Sequence, residues 1–177
     1  MTRIVFLISV LNRGGAEHQL TLLVKEIDQS KFDVTVVTVY DGGPLLPAIE
    51  AIPGIKIISL GKKGRGDYVR PLWKLFRTVG RTRPQIVHGY MGVSNILTLL
   101  VGKPCGAKVV WGLRASNVNF ALYDRLSSWY FRLAAELSRF PDLIIANSYA
   151  GKSYHVAEGY SGQRMIVIPN GFDTEKF

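Results

Sequence analysis

Seven short apolar runs, each separated from the next by a stretch of different periodicity, constrain this chain more than any other feature. They fall at residues 4–9, 34–39, 55–60, 85–88, 108–111, 143–146 and 165–168. Each is rich in β-branched residues and apolar on nearly every position. A strand buried on both faces reads this way; a half-exposed strand alternates. Helical spacing fills the intervals. Residues 16–28 place Leu20, Leu23, Val24 and Ile27 on one stripe, and residues 68–82 place Val69, Leu72, Phe76 and Val79 inward. Residues 93–102 and 149–157 read as helices, and 121–139 as a long one on Leu122, Leu126, Trp129, Leu133 and Leu137. A short helix around 45–51 follows the break at Asp41-Gly42-Gly43-Pro44. One helix between successive buried strands is the pattern of parallel crossovers. The expected fold is α/β: a doubly wound, mostly parallel, Rossmann-like sheet of about seven strands.

The chain has 177 residues, the size of one domain, and its apolar fraction of 47% suffices for a proper core. Cys105 is the single cysteine, so no internal disulfide can form, and a reducing, cytoplasmic setting is expected. It lies in a Lys103-Pro104-Cys105-Gly106 turn. No apolar run approaches the ~20 residues that span a bilayer. Residues 4–11 resemble a signal-peptide core, but a glycine turn and an amphipathic helix follow directly, so they are read as a strand.

A parallel sheet of this kind places ligands at the carboxyl ends of its strands, near the point where strand order reverses. The unusual polar residues collect in those loops. Gly14 and Gly15 close the first loop and open a helix. Exposed backbone N–H groups at a helix N-terminus cradle phosphate, and glycine lets the phosphate approach. The segment Asn12-Arg13-Gly14-Gly15-Ala16-Glu17 lacks the G-x-G-x-x-G spacing, so a plain turn fits equally well. Glu17 in the first turn either answers the helix dipole or faces the cleft. His88 and Tyr90 follow the fourth strand. Tyrosine donates a hydrogen bond and stacks on rings, but with a pKa of ~10 it is a poor base at neutral pH. Arg114 ends Trp111-Gly112-Leu113-Arg114. It is a fixed cation with a planar fork suited to phosphate or carboxylate, or to a pair with Asp124 or Glu17. Ser148 is a good N-cap for the helix at 149–157. Asn170-Gly171 is a turn signal.

Three of these segments together resemble one family. Gly14-Gly15-Ala16-Glu17 after the first strand, the Trp111-Gly112-Leu113-Arg114 loop, and Ile168-Pro169-Asn170-Gly171-Phe172-Asp173 look like the first loop, the fifth-strand loop and the hinge of a glycosyltransferase family 4 (group 1) enzyme with the GT-B fold. The resemblance implies a domain over residues 1–168 and the start of a hinge at 169–177, leading to a second, donor-binding domain. It implies transfer of a hexosyl group from a nucleotide sugar, UDP- or GDP-linked, to an acceptor hydroxyl with retention. No tightly bound cofactor or metal is implied. Gly14, Gly15 and Arg114 match donor-diphosphate positions. Glu17, Tyr90, Arg114 and Asn117 match the acceptor side, and Pro169, Asn170 and Gly171 the hinge. The family's fourth-strand loop often reads His-x-His. Tyr90 stands at the second histidine and His88 at the first, so these two match the catalytic loop with a substitution. The carboxylate pair of the second domain has no counterpart, and the chain alone is expected to be inactive.

Lysine and arginine exceed the acids by nine. Much of the surplus lies between Lys62 and Arg83, interleaved with Tyr68, Trp73 and Phe76. Arg70, Lys74, Arg77 and Arg81 share one helix face. A basic helix with aromatics suits an anionic membrane surface, and less so nucleic acid. Related enzymes use lipid-linked acceptors, so peripheral attachment to the inner face of the plasma membrane is expected, in polysaccharide or glycolipid synthesis. The three histidines have no metal-ligand spacing. Two other functions share these features: a GT-B nucleotide-sugar 2-epimerase, and a non-catalytic module that binds membrane or nucleic acid.

Overall fold

A computed structural model describes residues 1–64, 66–114 and 125–171, with backbone alone at 125 and 126. The order is β1 (Thr2–Ile8), α1 (Gly15–Glu26), β2 (Phe32–Thr38), α2 (Leu46–Glu50), β3 (Lys56–Ser59), α3 (Val69–Thr82), β4 (Ile86–Tyr90), α4 (Gly92–Gly102), β5 (Lys108–Leu113), α5 (Arg125–Leu137), β6 (Leu143–Ala146), α6 (Tyr149–Ala157) and β7 (Met165–Val167). The strands form one sheet in the order β3-β2-β1-β4-β5-β6-β7, and every pair is parallel. The doubly wound sheet expected from the sequence is present.

Strand alternation builds the two faces. Ile4, Phe6 and Ile8 of β1 point to one side, where Leu20 and Val24 of α1 and Ile49 of α2 pack. Val5 and Leu7 point to the other, against Leu75 and Val79 of α3 and Val101 of α4. Farther along, Val109, Trp111 and Ile144 pack with Leu99 and Ala134. Right-handed crossovers explain this division. The chain winds outward from β1 to β3 with helices on one face. It then returns past β1 to β4 and winds the other way with helices on the opposite face. The reversal lies between β1 and β4.

β4 and β5 each run two residues beyond their expected ends, through Tyr90 and Leu113. The ladder continues because Tyr90 pairs with Gly112. Tyr90 is therefore a sheet residue. The helix stripes also need correction. In α3, Val69 is 84% and Phe76 39% exposed, and the buried residues are Pro71, Leu75, Thr78 and Val79. In α5, Trp129 is 56% exposed, while Ala134 and Ala135 are buried. Both helices carry two apolar stripes, so periodicity alone cannot choose between them. Close packing on the sheet favours small and branched side chains, which turns the large rings outward. In α1, Leu23 is 40% exposed, while Leu20 and Val24 of the expected stripe are buried. Leu122 lies outside the described residues.

Candidate functional site at the carboxyl edge of the sheet

Gly14 and Gly15 lie where the chain leaves β1 for α1, beside the reversal point. Gly14 is the N-cap in extended conformation, with no side-chain cap. A Cβ on Gly15 would meet nothing within 4 Å, so this first helical residue is open to approach. A Cβ on Gly14 would instead collide with the Glu17 carboxylate, which folds back over the start of the helix. The position answers the helix dipole, the first of the two roles open to Glu17.

His88, Tyr90 and Arg114 form one stack on the face that α1 covers. The centroid of the His88 ring is 5.4 Å from that of Phe6 and 4.8 Å from that of Tyr90. Arg114 lies across the Tyr90 ring, its Cζ 5.1 Å from the centroid, and Nη2 donates to the Tyr90 hydroxyl at 3.5 Å. Gly112 lies beneath the stack. A Cβ there would sit at ordinary contact distance from His88 Nε2, 3.4 Å, and Arg114 Nε, 3.8 Å, and be tight only against the Gly89 carbonyl at 3.2 Å. Arg114 makes no pair with Glu17 among the described residues, and Asp124 lies outside them; Nη1 donates to Oδ1 of Asn170 at 2.9 Å.

Burial sets the protonation states. Loss of solvent, then the adjacent guanidinium, pushes the His88 pKa down to about 3, so the ring is neutral at physiological pH. Its Nε2 is buried without a partner. Burial raises the Tyr90 pKa, and Arg114 only partly opposes this, so the phenol keeps its proton. Neither group is placed to serve as a solvent-accessible base. Arg114 is the charged member of the stack.

A second row supports the first from the other face of the sheet. Trp111 Nε1 donates to Thr98 Oγ1 at 3.1 Å, and Asn95 Nδ2 donates to the Gly112 carbonyl at 3.2 Å. Between β4 and α4, Met91 adopts φ 62 and ψ 157. This region is nearly reserved for glycine, and non-glycine residues held there cluster at functional edges.

The segment after β7 returns across this edge. Ile168 N–H donates to the Ala146 carbonyl at 3.0 Å, Asn170 meets Arg114, and Gly171 pairs with Gln19 of α1. Gln19 had no sequence signal: it is one polar residue beside an apolar stripe. Asn117 lies outside the described residues. Ser148 caps α6 as expected, its Oγ accepting from Gly151 N–H at 2.9 Å.

Between α1 and the 168–171 segment runs a trough of about 870 Å³, floored by Phe6, Ile86, His88, Tyr90, Val110 and Ile145. Away from it, Tyr40, Lys62 and Tyr68 form an exposed cluster. The Lys62 ammonium stands 4.4 Å from the Tyr68 ring centroid and 5.4 Å from that of Tyr40. Trp129 of α5 packs edge-on against Tyr130, ring centroids 5.2 Å apart. On α3, Arg77 covers Trp73 at 5.1 Å. Among the described residues no group of three or more His, Cys, Asp or Glu could hold a metal ion, and no helix is long and apolar enough to cross a membrane.

A doubly wound, all-parallel seven-stranded sheet with a glycine helix start at its reversal point has the form of a Rossmann-like α/β domain. The profile of Glycosyltransferase Family 4 matches residues 13–176. The chain belongs to that family. Among solved structures, the fold is similar to HepE from Anabaena in complex with UDP, with TM-score 0.79, 21% identity, and coverage of 98% of this chain and 45% of that one. It is also similar to the lipopolysaccharide outer core galactosyltransferase WaaB, with TM-score 0.69, 15% identity, and coverage of 97% and 46%. The UDP-GlcNAc 2-epimerase from Methanocaldococcus jannaschii gives TM-score 0.65, 10% identity, and coverage of 96% and 45%. At these identities the likeness is one of fold. The chain spans about half the length of these structures. No curated protein matches the sequence significantly.

Proposed function

We propose that this chain is the acceptor-side domain of a retaining nucleotide-sugar glycosyltransferase, running over residues 1–168, with its hinge beginning at Pro169. The observation that carries the reading is the open start of α1 at Gly15, at the strand reversal, with Arg114 at the end of β5 on the same carboxyl edge of the sheet. The N–H groups there favour a diphosphate, and the guanidinium adds a fixed positive charge. In the reaction, the bond from the anomeric carbon to the diphosphate oxygen breaks and a bond to an acceptor oxygen forms, while the acceptor proton leaves. Charge develops on the diphosphate, and preorganised donors lower its energy most. Glu17 lies over Gly14, so a phosphate at the helix start displaces it. The freed carboxylate is then available to an acceptor hydroxyl. Tyr90 and His88, neutral and buried, shape the wall of the pocket and hold Arg114.

The donor is a UDP- or GDP-sugar, and UDP-glucose is the first to test because a HepE structure holds it. The acceptor is lipid-linked, in polysaccharide or glycolipid assembly on the inner face of the plasma membrane. Support for a membrane partner comes from α3, where exposed Val69, Trp73 and Phe76 lie at i, i+4, i+7, flanked by exposed Arg70 and Arg77. Apolar rings between cations suit an anionic lipid surface. Binding of the chain to vesicles with and without anionic lipid tests this. Trp73→Ser combined with Arg77→Glu is expected to weaken binding about tenfold or more. Equal binding by that variant overturns it.

The decisive assay for the reaction uses the full-length protein with radiolabelled UDP- and GDP-sugars and a membrane extract as acceptor. Label is expected in the lipid fraction, and none with residues 1–177 alone. A second reading, nucleotide-sugar 2-epimerase, is favoured by the epimerase likeness. It predicts a changed sugar epimer, still nucleotide-linked, with no acceptor added.

A further inference from the structure

Gln19 of α1 and Gly171 form a reciprocal pair. The Gln19 side-chain amide donates through Nε2 to the Gly171 carbonyl at 2.7 Å, and its Oε1 accepts from the Gly171 N–H at 2.9 Å. One side chain satisfies both backbone groups of a residue 152 positions away, as a neighbouring strand does. Packing does not require the arrangement, since a Cβ on Gly171 would meet nothing within 4 Å. The pair completes a series. The chain leaving β7 is held at Ile168 by β6, at Asn170 by Arg114, and at Gly171 by Gln19. Gln19 is the last anchor among the described residues. It also sits four positions from Gly15, on the same helix whose open N-terminus is the proposed phosphate site.

We propose that Gln19 is a positioning residue, a latch that makes the helix start at Gly14-Gly15 and the beginning of the hinge move as one body. The proposal rests on the two-domain transferase reading above. With the latch closed, residues 169–171 are carried with α1, and the distance from the hinge origin to the proposed diphosphate site is fixed. With the latch open, residues 169–171 swing as well. Domain orientations spread, and the orientation able to close on a donor becomes a smaller fraction of the ensemble. Apparent donor affinity falls by that fraction, although Gln19 touches neither nucleotide nor sugar.

The test uses the full-length protein with Gln19→Met, which keeps the side-chain length and removes both bonds, and Gln19→Glu, which keeps only the acceptor. Amide hydrogen exchange at Gly171 is expected to accelerate about tenfold in Gln19→Met and less in Gln19→Glu. Melting temperature stays unchanged, small-angle scattering broadens, and KM for the nucleotide sugar rises about fivefold with kcat held within about twofold. Exchange at Gly171 that is equally fast in wild type and both variants overturns the latch. So does faster exchange with no change in scattering. If the wild-type protein transfers no sugar at all, the transferase reading has failed, and exchange and scattering still decide the latch.

Discussion

Nη1 of Arg114 donates to Oδ1 of Asn170 at 2.9 Å, across 56 positions of sequence. The bond joins the end of β5 to the segment beyond β7. The arginine assigned to the proposed diphosphate site is therefore also part of what holds residues 168–171 against the sheet. A lysine at this position keeps the charge and loses the fork that reaches Asn170 and Tyr90 together.

Arg114→Lys is accordingly expected to lower unfolding stability by about 1 kcal/mol, the scale of one partly exposed hydrogen bond and one ring contact. Urea unfolding of the chain measures this. In the full-length protein the same variant should lose more in kcat/KM than in stability, because charge on the leaving diphosphate calls on the missing fork. Equal activity of the lysine variant and wild type would remove Arg114 from the site.

His88 makes stability depend on pH in a stated window. Its folded pKa is lowered to about 3, by burial first and Arg114 second. The unfolded chain binds the extra proton between that value and ~6.5. The stabilisation is complete above about pH 6.5 and is lost as pH falls toward 3, with a slope approaching about 1.4 kcal/mol per pH unit. His155, also lowered chiefly by burial, adds to the slope with the same sign. Asp142, opposed by burial but drawn down to about 2 by Lys103, the Val109 N–H and Lys108, acts only below its ordinary range. The interval from pH 5 to 6.5 thus belongs to the histidines. His88→Asn should flatten it, as read by denaturant unfolding at several pH values.

Gly89 and Gly112 are expected to differ in tolerance. A Cβ on Gly89 would lie 2.8 Å from the Cα and 3.0 Å from the backbone nitrogen of Asn95, which cannot move without shifting α4. Gly89→Ala should cost about 2–3 kcal/mol. A Cβ on Gly112 would press at 3.2 Å on the Gly89 carbonyl, while His88 Nε2 at 3.4 Å and Arg114 Nε at 3.8 Å stay at ordinary contact distance. Gly112→Ala should therefore cost less, about 1 kcal/mol. Thermal melts separate the two.

Met91→Gly should stabilise the chain by about 1 kcal/mol. Strain at φ 62, ψ 157 is relieved, and the added entropy of glycine in the unfolded chain only partly offsets the gain. Lower stability of the glycine variant would show that contacts of the methionine side chain outweigh the strain.

How much of this was legible in the sequence differs by element. The seven strands and their parallel sense were legible, because buried runs punctuated by single helices admit few topologies. Ser148 as a cap and the glycine start of α1 were legible too, since caps and turns act within a few residues. The inward faces of α3 and α5 were legible only in part: Val79, Leu133 and Leu137 pack inward as expected, whereas Val69, Phe76 and Trp129 do not. Two apolar stripes compete there, and the shape of the sheet beneath decides. Gln19 and the Met91 strain gave no local signal.

The sequence by itself determined the layered α/β fold and the family, since both rest on short-range periodicity and on motifs contiguous along the chain. Only the tertiary structure decided that Arg114 grips Asn170 across the Tyr90 ring, that His88 is sealed and neutral, and that Gln19 pairs with Gly171. Those facts depend on contacts between residues far apart in sequence, and on burial, which sets protonation and which no single residue type carries with it.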